Sequence, residues 1–206
     1  NAVHTQVNLM HHVSKASKRG AKLIVVDPYR NATAKKADLH IMLQPGSDGA
    51  VASALMHVLL KENLADRDYL AGYTDFNNEL EDHLETKTPE WASAISGVPA
   101  EEIIEFARLI GCNPKTYYRF GYGFTRSRNG AFNIPAASFL PAMNGGGKYK
   151  GRGGVNRRLD CAQMLGGLMP GVNGQRVGVE LHILHCLANF THLHCNCSLS
   201  KTLVSI

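Results

Sequence analysis

Apolar side chains at Val3, Val7, Met10 and Val13 recur at the period of one helical face. A helix is predicted there, ending at Lys18-Arg19-Gly20, where cations precede a glycine. Ala21 to Val26 is a β-branched run with no alternation after Leu23, which predicts a strand buried on both faces of a parallel sheet. Asp27-Pro28 stops it. Thr33 to Asp38 reads as a short helical turn, and Leu39 to Leu43 as a second, weaker strand. Gln44-Pro45-Gly46-Ser47-Asp48-Gly49 then opens a helix whose buried face is Ala50, Val51, Ala54, Leu55, Val58 and Leu59. Ser47 or Asp48 is placed to accept its first N–H groups.

Residues 66–110 read as four helices: Asp66 to Tyr73, Asn77 to Leu84, Pro89 to Ile95, and Pro99 to Ile110 with Gly111 closing it. Thr116 to Phe120 is the next strand. Gly121 to Gly130 is a glycine-bearing loop, followed by a weaker helix to about Met143. Strand, crossover, strand, helix is an α/β grammar. After Gly154 the text changes: residues 177–206 hold two charged side chains, Glu180 and Lys201, and no clean period, so no element is predicted. No internal repeat is visible.

Composition narrows the class. With 206 residues, 44% hydrophobic and 19% charged, the chain is an ordinary globular one, not collagen, coiled coil or a disordered tail. The +5 net charge is mild and spread out, which suits solubility better than a polyanion site, so no nucleic-acid partner is expected. The longest nearly apolar run, Ala50 to Leu60, is broken by Ser53 and His57 and falls short of the roughly 20 residues a bilayer needs. No membrane span is expected. Residue 1 is Asn and no secretory leader follows it, so the chain is read as starting mid-protein, in the cytoplasm.

In a parallel α/β sheet, ligands bind beyond the carboxyl ends of the strands. Three loops qualify: Asp27-Pro28-Tyr29-Arg30-Asn31, Gly46-Ser47-Asp48, and Gly121 to Gly130. Phosphate would favour the N-terminus of the helix after Gly49, but Asp48 would repel it at close range. A carboxylate there suits guanine, whose N1–H and N2–H₂ are adjacent donors matching two carboxylate oxygens. Arg30 and Arg126 suit a diphosphate or a pterin oxygen. Plainer readings stand beside these: Asp48 as a helix cap, Asp27-Pro28 as a turn, the arginines as solvated. Neither G-x-G-x-x-G nor G-x-x-x-x-G-K-[ST] occurs, so ordinary NAD and P-loop sites lack their fingerprint.

Gly20-Ala21-Lys22-Leu23-Ile24-Val25-Val26-Asp27-Pro28-Tyr29-Arg30-Asn31, then Thr33-Ala34, Ala37-Asp38 and Gln44-Pro45-Gly46-Ser47-Asp48-Gly49-Ala50, resemble the molybdopterin-dinucleotide oxidoreductases of the dimethyl-sulfoxide-reductase family, which includes formate dehydrogenases and nitrate reductases. Gly121 to Gly130 looks like that family's next cofactor loop. The resemblance covers roughly residues 1–154. It implies an α/β fold, a Rossmann-like parallel sheet flanked by helices and incomplete here, with residues 1–115 as a partial guanine-dinucleotide-binding domain and 116–154 as the start of a second cofactor-binding segment.

The same resemblance implies a catalytic subunit binding bis(molybdopterin guanine dinucleotide) with molybdenum. Two-electron chemistry on a small substrate, an iron–sulfur cluster and an electron-transfer partner go with it. Asp27, Pro28, Tyr29, Arg30, Asn31, Gly46, Ser47 and Asp48 match the loops that hold one guanosine. Tyr122, Gly123 and Arg126 match the pterin-side loop, and Asn1 matches the Asn of a Gly-x-Asn loop. The residues matching the molybdenum ligand and the cluster cysteines would precede residue 1, so no catalytic residue is assigned and this piece alone is expected to be inactive.

Residues 155–206 stand apart. His182, His185, Cys186, His192, His194, Cys195 and Cys197 invite a zinc reading, yet Cys186 stands alone and Cys195-x-Cys197 is tighter than the usual knuckle. Sequence foreign to the family, or disulfides, are the other readings of this tail. The rival to the whole assignment is a non-catalytic nucleotide- or zinc-binding module.

Overall fold

The computed structural model describes residues 2–5, 7–113, 115–121, 123–127, 130–148, 153–156 and 202–205. Two helical segments come first, α1 (Ala2–Thr5) and α2 (Val7–Ser17), over the stretch where the sequence predicts a helix. Strand β1 (Lys22–Val26) follows, then a 3₁₀ turn (Ala34–Lys36) and β2 (Leu39–Ile41). Five helices come next: α3 (Asp48–Lys61), α4 (Arg67–Tyr73), α5 (Asn78–Glu85), α6 (Pro89–Ser96) and α7 (Ala100–Gly111). Strand β3 (Thr116–Phe120), a 3₁₀ turn (Gly123–Arg126), α8 (Gly130–Met143), a further 3₁₀ turn (Gly146–Lys148), β4 (Gly153–Asn156) and β5 (Thr202–Ser205) complete the order.

Local chemistry explains most of these boundaries. Gly20 ends α2 at φ +89°, a conformation that a Cβ would strain. Asp66, Asn77 and Thr88 each accept the N–H three residues on, from Tyr69, Leu80 and Trp91, so α4, α5 and α6 start where a short polar side chain can cap them. Pro99 precedes α7 as its cap residue and does not occupy its first turn, and Gly111 is that helix's last residue, with Cys112 after it.

All five strands run parallel, in the order β2-β1-β5-β3-β4. The fold is therefore α/β, helix-rich around a small parallel sheet. Strand β1 is buried on both faces, as its unbroken apolar run predicts. Ile24 and Val26 join the large core formed with α3, α6, α7 and α8, while Leu23 and Val25 join a smaller core with Ala2, Met10 and Val13. Strand β3 divides in the same way, Tyr118 and Phe120 to one side and Tyr117 to the other. Helix α3 is the axis of the large core. Its Ala54, Leu55 and Leu59 are at most 1% exposed.

Neither β4 nor β5 is predicted from the sequence, which shows no period after Gly154. Strand β5 lies between β1 and β3, pairing Leu23 with Leu203 and Tyr117 with Leu203. The His and Cys residues from His182 to Cys197 lie outside the described residues, so the zinc, disulfide and foreign-sequence readings of the tail are not addressed by the fold. Among the described residues, no group of three or more His, Cys, Asp or Glu could hold a metal, and no helix is long and apolar enough to cross a membrane.

Candidate cofactor-binding edge

Parallel strands put their carboxyl ends at one edge, so the loops after β1, β2 and β3 all leave the sheet there. The first is built around Asn31, a buried amide. Its Nδ2 donates to Asp27 Oδ2 at 2.5 Å, and its Oδ1 accepts from the backbone N–H groups of Thr33 at 2.8 Å and Ala34 at 3.0 Å. Asp27 Oδ1 accepts the Tyr29 N–H at 3.2 Å. Asp27 and Asn31 thus shape the loop between them, leaving Pro28, Tyr29 and Arg30 exposed at its tip, with Tyr29 at 59%. Arg30 makes no ion pair among the described residues. The loop is tied to its neighbours: a ring nitrogen of His40 lies 3.1 Å from the Asp27 carbonyl, and the Val3 N–H donates to Thr33 Oγ1 at 3.1 Å.

The second loop turns at Gly46, where φ is +88°. Ser47 departs from expectation. Its hydroxyl caps no helix and donates back to the Gln44 carbonyl at 2.6 Å, bracing the turn from within. Asp48 opens α3 as its first residue, half-buried. Burial pushes its carboxyl pKa above the ordinary value, against the lowering pull of its own N–H and that of Gly46. A carboxylate short of water at a loop edge is well placed to take donors from a ligand, since neutral or cationic hydrogen-bond partners relieve the cost of its desolvation.

The third loop, Gly123 to Ser127, packs directly on the second. A methyl group placed on Gly46 would sit 3.2 Å from Ser127 Cβ. Gly123 and Arg126 are exposed on this 3₁₀ turn, and Arg126 directly precedes the Ser127 that lies against Gly46. Asn1 and Tyr122, the two remaining candidates, lie outside the described residues. Asn133 was not singled out from the sequence. It is 2% exposed in α8, and its Oδ1 accepts the Gly49 N–H at 3.2 Å. Nothing in the linear pattern marks it, because its partner is 84 residues away.

Residues 1–196 match the family model described as "Molybdopterin oxidoreductase". The chain belongs to the molybdopterin oxidoreductase family. Relatives include the F420-dependent formate dehydrogenase 1 subunit alpha of Methanococcus maripaludis, 39% identical over 66% of this chain and 20% of that protein. Dimethyl sulfoxide reductase DmsA of Haemophilus influenzae is 34% identical, again over 66% of this chain and 20% of that protein. Among solved structures, acetylene hydratase from Pelobacter acetylenicus superposes with a TM-score of 0.56 at 25% identity, covering 68% of this chain and 19% of that one. The chain spans about a fifth of the length of the curated relatives it matches. A molybdopterin oxidoreductase presents a molybdopterin cofactor to its substrate, and the residues at this edge fit such a group in kind. One half-buried carboxylate and two exposed guanidiniums, from three loops, offer an acceptor for base donors and cations for phosphates.

Proposed function

We propose that this chain supplies part of the bis(molybdopterin guanine dinucleotide) surface of a molybdenum-dependent oxidoreductase acting on a small substrate. The observation that carries this reading is that three loops leave the carboxyl edge of one parallel sheet, the second and third in contact through Gly46 and Ser127, with Arg30, Asp48 and Arg126 on them. The relatives support a cofactor role over a substrate role. Formate dehydrogenase, dimethyl sulfoxide reductase and acetylene hydratase are named for three different substrates, and what a shared stretch can hold in common among them is the cofactor.

On this reading, residues 1–115 form a Rossmann-like dinucleotide half and 116–154 begin the second cofactor segment. Asp48 accepts the N1–H and N2–H₂ of guanine. Arg30 pairs with the diphosphate, on a loop whose shape Asp27 and Asn31 hold and whose tip Pro28 and Tyr29 form. Gly46 and Ser47 fix the turn that aims Asp48. Arg126, after Gly123, faces the pterin side with Tyr122, and Asn1 serves as the Asn of a Gly-x-Asn loop. When bound, molybdenum supplies two-electron redox chemistry, with an iron–sulfur cluster and an electron-transfer partner as the route for electrons; the side chains here bind and orient.

The test is isothermal titration of the purified chain with GDP, ADP and XDP. GDP should bind more tightly than ADP by about tenfold to a hundredfold, the difference made by hydrogen bonds to a charged group. Xanthine offers a donor at N1 and an acceptor at O2, so Asp48→Asn should abolish the preference for GDP and shift it toward XDP. Equal binding of GDP and ADP by the unaltered chain would overturn the guanine assignment.

A further inference from the structure

Helix α3 begins without help from its own cap residue, because the Ser47 hydroxyl points back to Gln44. A backbone N–H of its first turn is met from elsewhere: Asn133 Oδ1 accepts from Gly49 at 3.2 Å. The same amide donates from Nδ2 to Ser127 Oγ, 3.4 Å away. Asn133 therefore touches both the turn that carries Asp48 and the residue next to Arg126. The space around it is closed. A methyl group on Gly49 would lie 2.7 Å from Asn133 Oδ1, and one on Gly46 3.2 Å from Ser127 Cβ, so neither glycine can take a larger side chain without its neighbour moving. A buried amide with an acceptor used on one loop and a donor on the other fixes their relative position, because rotating it to favour one side breaks the other.

We propose that Asn133 is a positioning residue that holds the Asp48 turn in register with the Arg126 loop, so that carboxylate and guanidinium present one surface to the nucleotide end of the cofactor. This rests on the guanine reading above for its ligand, but not for its geometry. Asn133 touches no ligand itself. It acts through the Gly49 N–H and the Ser127 hydroxyl.

The experiment compares Asn133→Ala and Asn133→Asp in the 206-residue chain. Asn133→Ala removes both bonds, while Asn133→Asp keeps an acceptor for the Gly49 N–H. Three quantities are read well below the unfolding midpoint: GDP affinity by titration calorimetry, exchange of the Gly49 amide by NMR, and the titration of the Asp48 carboxyl by NMR. Asn133→Ala should weaken GDP binding by about tenfold, the worth of one buried hydrogen bond together with the N–H it leaves unmet. Gly49 exchange should rise, and the Asp48 titration should fall back toward that of an ordinary carboxyl as the turn opens to water. Asn133→Asp should restore Gly49 protection and most of the affinity.

A purely structural role would lower the unfolding temperature and leave the Asp48 titration, Gly49 exchange and GDP affinity of the folded protein unchanged; that result overturns the proposal. If the unaltered chain shows no preference for GDP while Gly49 and Asp48 still respond to Asn133→Ala, the positioning role stands and the guanine reading falls. Should Asn133→Ala fail to fold, Ser127→Ala and Asn133→Asp carry the test. Ser127→Ala should loosen the third loop with about a threefold loss of affinity, and no loss of affinity in Ser127→Ala relative to the unaltered chain would refute the linkage.

Discussion

Asn31 offers the sharpest test of how the first loop is held. It is 4% exposed and satisfies three partners at once: two backbone N–H groups, of Thr33 and Ala34, and the Asp27 carboxylate. Asn31→Ala takes the side-chain acceptor from both N–H groups and removes one donor from the Asp27 carboxylate. Two neutral bonds at about 1 kcal/mol each and one to a charged group at about 1.5–3 kcal/mol set an upper sum near 5, and water entering the vacated space reduces it to about 2–4 kcal/mol. Asn31→Asp separates the contributions. The new carboxylate still accepts from Thr33 and Ala34, but it faces Asp27 with like charge.

Apposed carboxylates have raised folded-state pKa values, so the penalty of Asn31→Asp is absent below the ordinary carboxylate range near pH 4 and grows as pH rises above it. The assay is urea unfolding at pH 4.5 and pH 7, followed by fluorescence of Trp91, the single tryptophan of the chain. The expected order at pH 7 is unaltered chain most stable, with both variants below it, and the gap between Asn31→Asp and the unaltered chain should narrow at pH 4.5. Asn31→Ala lying within 0.5 kcal/mol of the unaltered chain, a margin of about the size of an ordinary surface change, would refute the reasoning.

Three further outcomes follow from the same geometry. Burial raises the folded-state pKa of Asp48, so its charged form opposes folding and stability falls as pH rises from about 4 through the raised value; Asp48→Asn should raise the melting temperature at pH 7 and flatten that pH dependence, and an unchanged profile would show the carboxyl to be well solvated. Asp66 caps α4 through the Tyr69 N–H at 3.0 Å and pairs with Lys148 at 2.6 Å, so Asp66→Ala should cost about 1–2 kcal/mol in urea unfolding and Lys148→Met clearly less. Deleting residues 202–206 removes the strand between β1 and β3 and bares an edge on each, so amide protection in both strands should collapse and the chain should self-associate on gel filtration; unchanged protection would place the strand pairing in doubt.

The local elements were legible because their causes are local. The unbroken apolar run from Leu23 to Val26 needed no partner to announce a strand covered on both faces, and the helices predicted from Asp66, Asn77 and Pro89 begin within one residue of those positions, where the structure shows Asp66, Asn77 and Thr88 as their caps. Asp27 to Asn31 and Gly46 to Asp48 stood out as loops after strands. Strand direction then placed them at one edge. Ser47 shows where local reasoning stopped. It had the right chemistry for a cap, but a carbonyl within its own turn was nearer.

The sequence by itself determined the α/β grammar and the three loops, since period, cap chemistry and loop order are carried by neighbours along the chain; the family came from the resemblance of its motifs. Only the tertiary structure decided that Thr202–Ser205 fills the gap between β1 and β3, that Asn133 supplies the contact Ser47 does not, and that the Asp48 turn rests on Ser127. Those contacts join residues dozens of positions apart. Their energy depends on packing and burial at a meeting point that has no signature in either stretch alone.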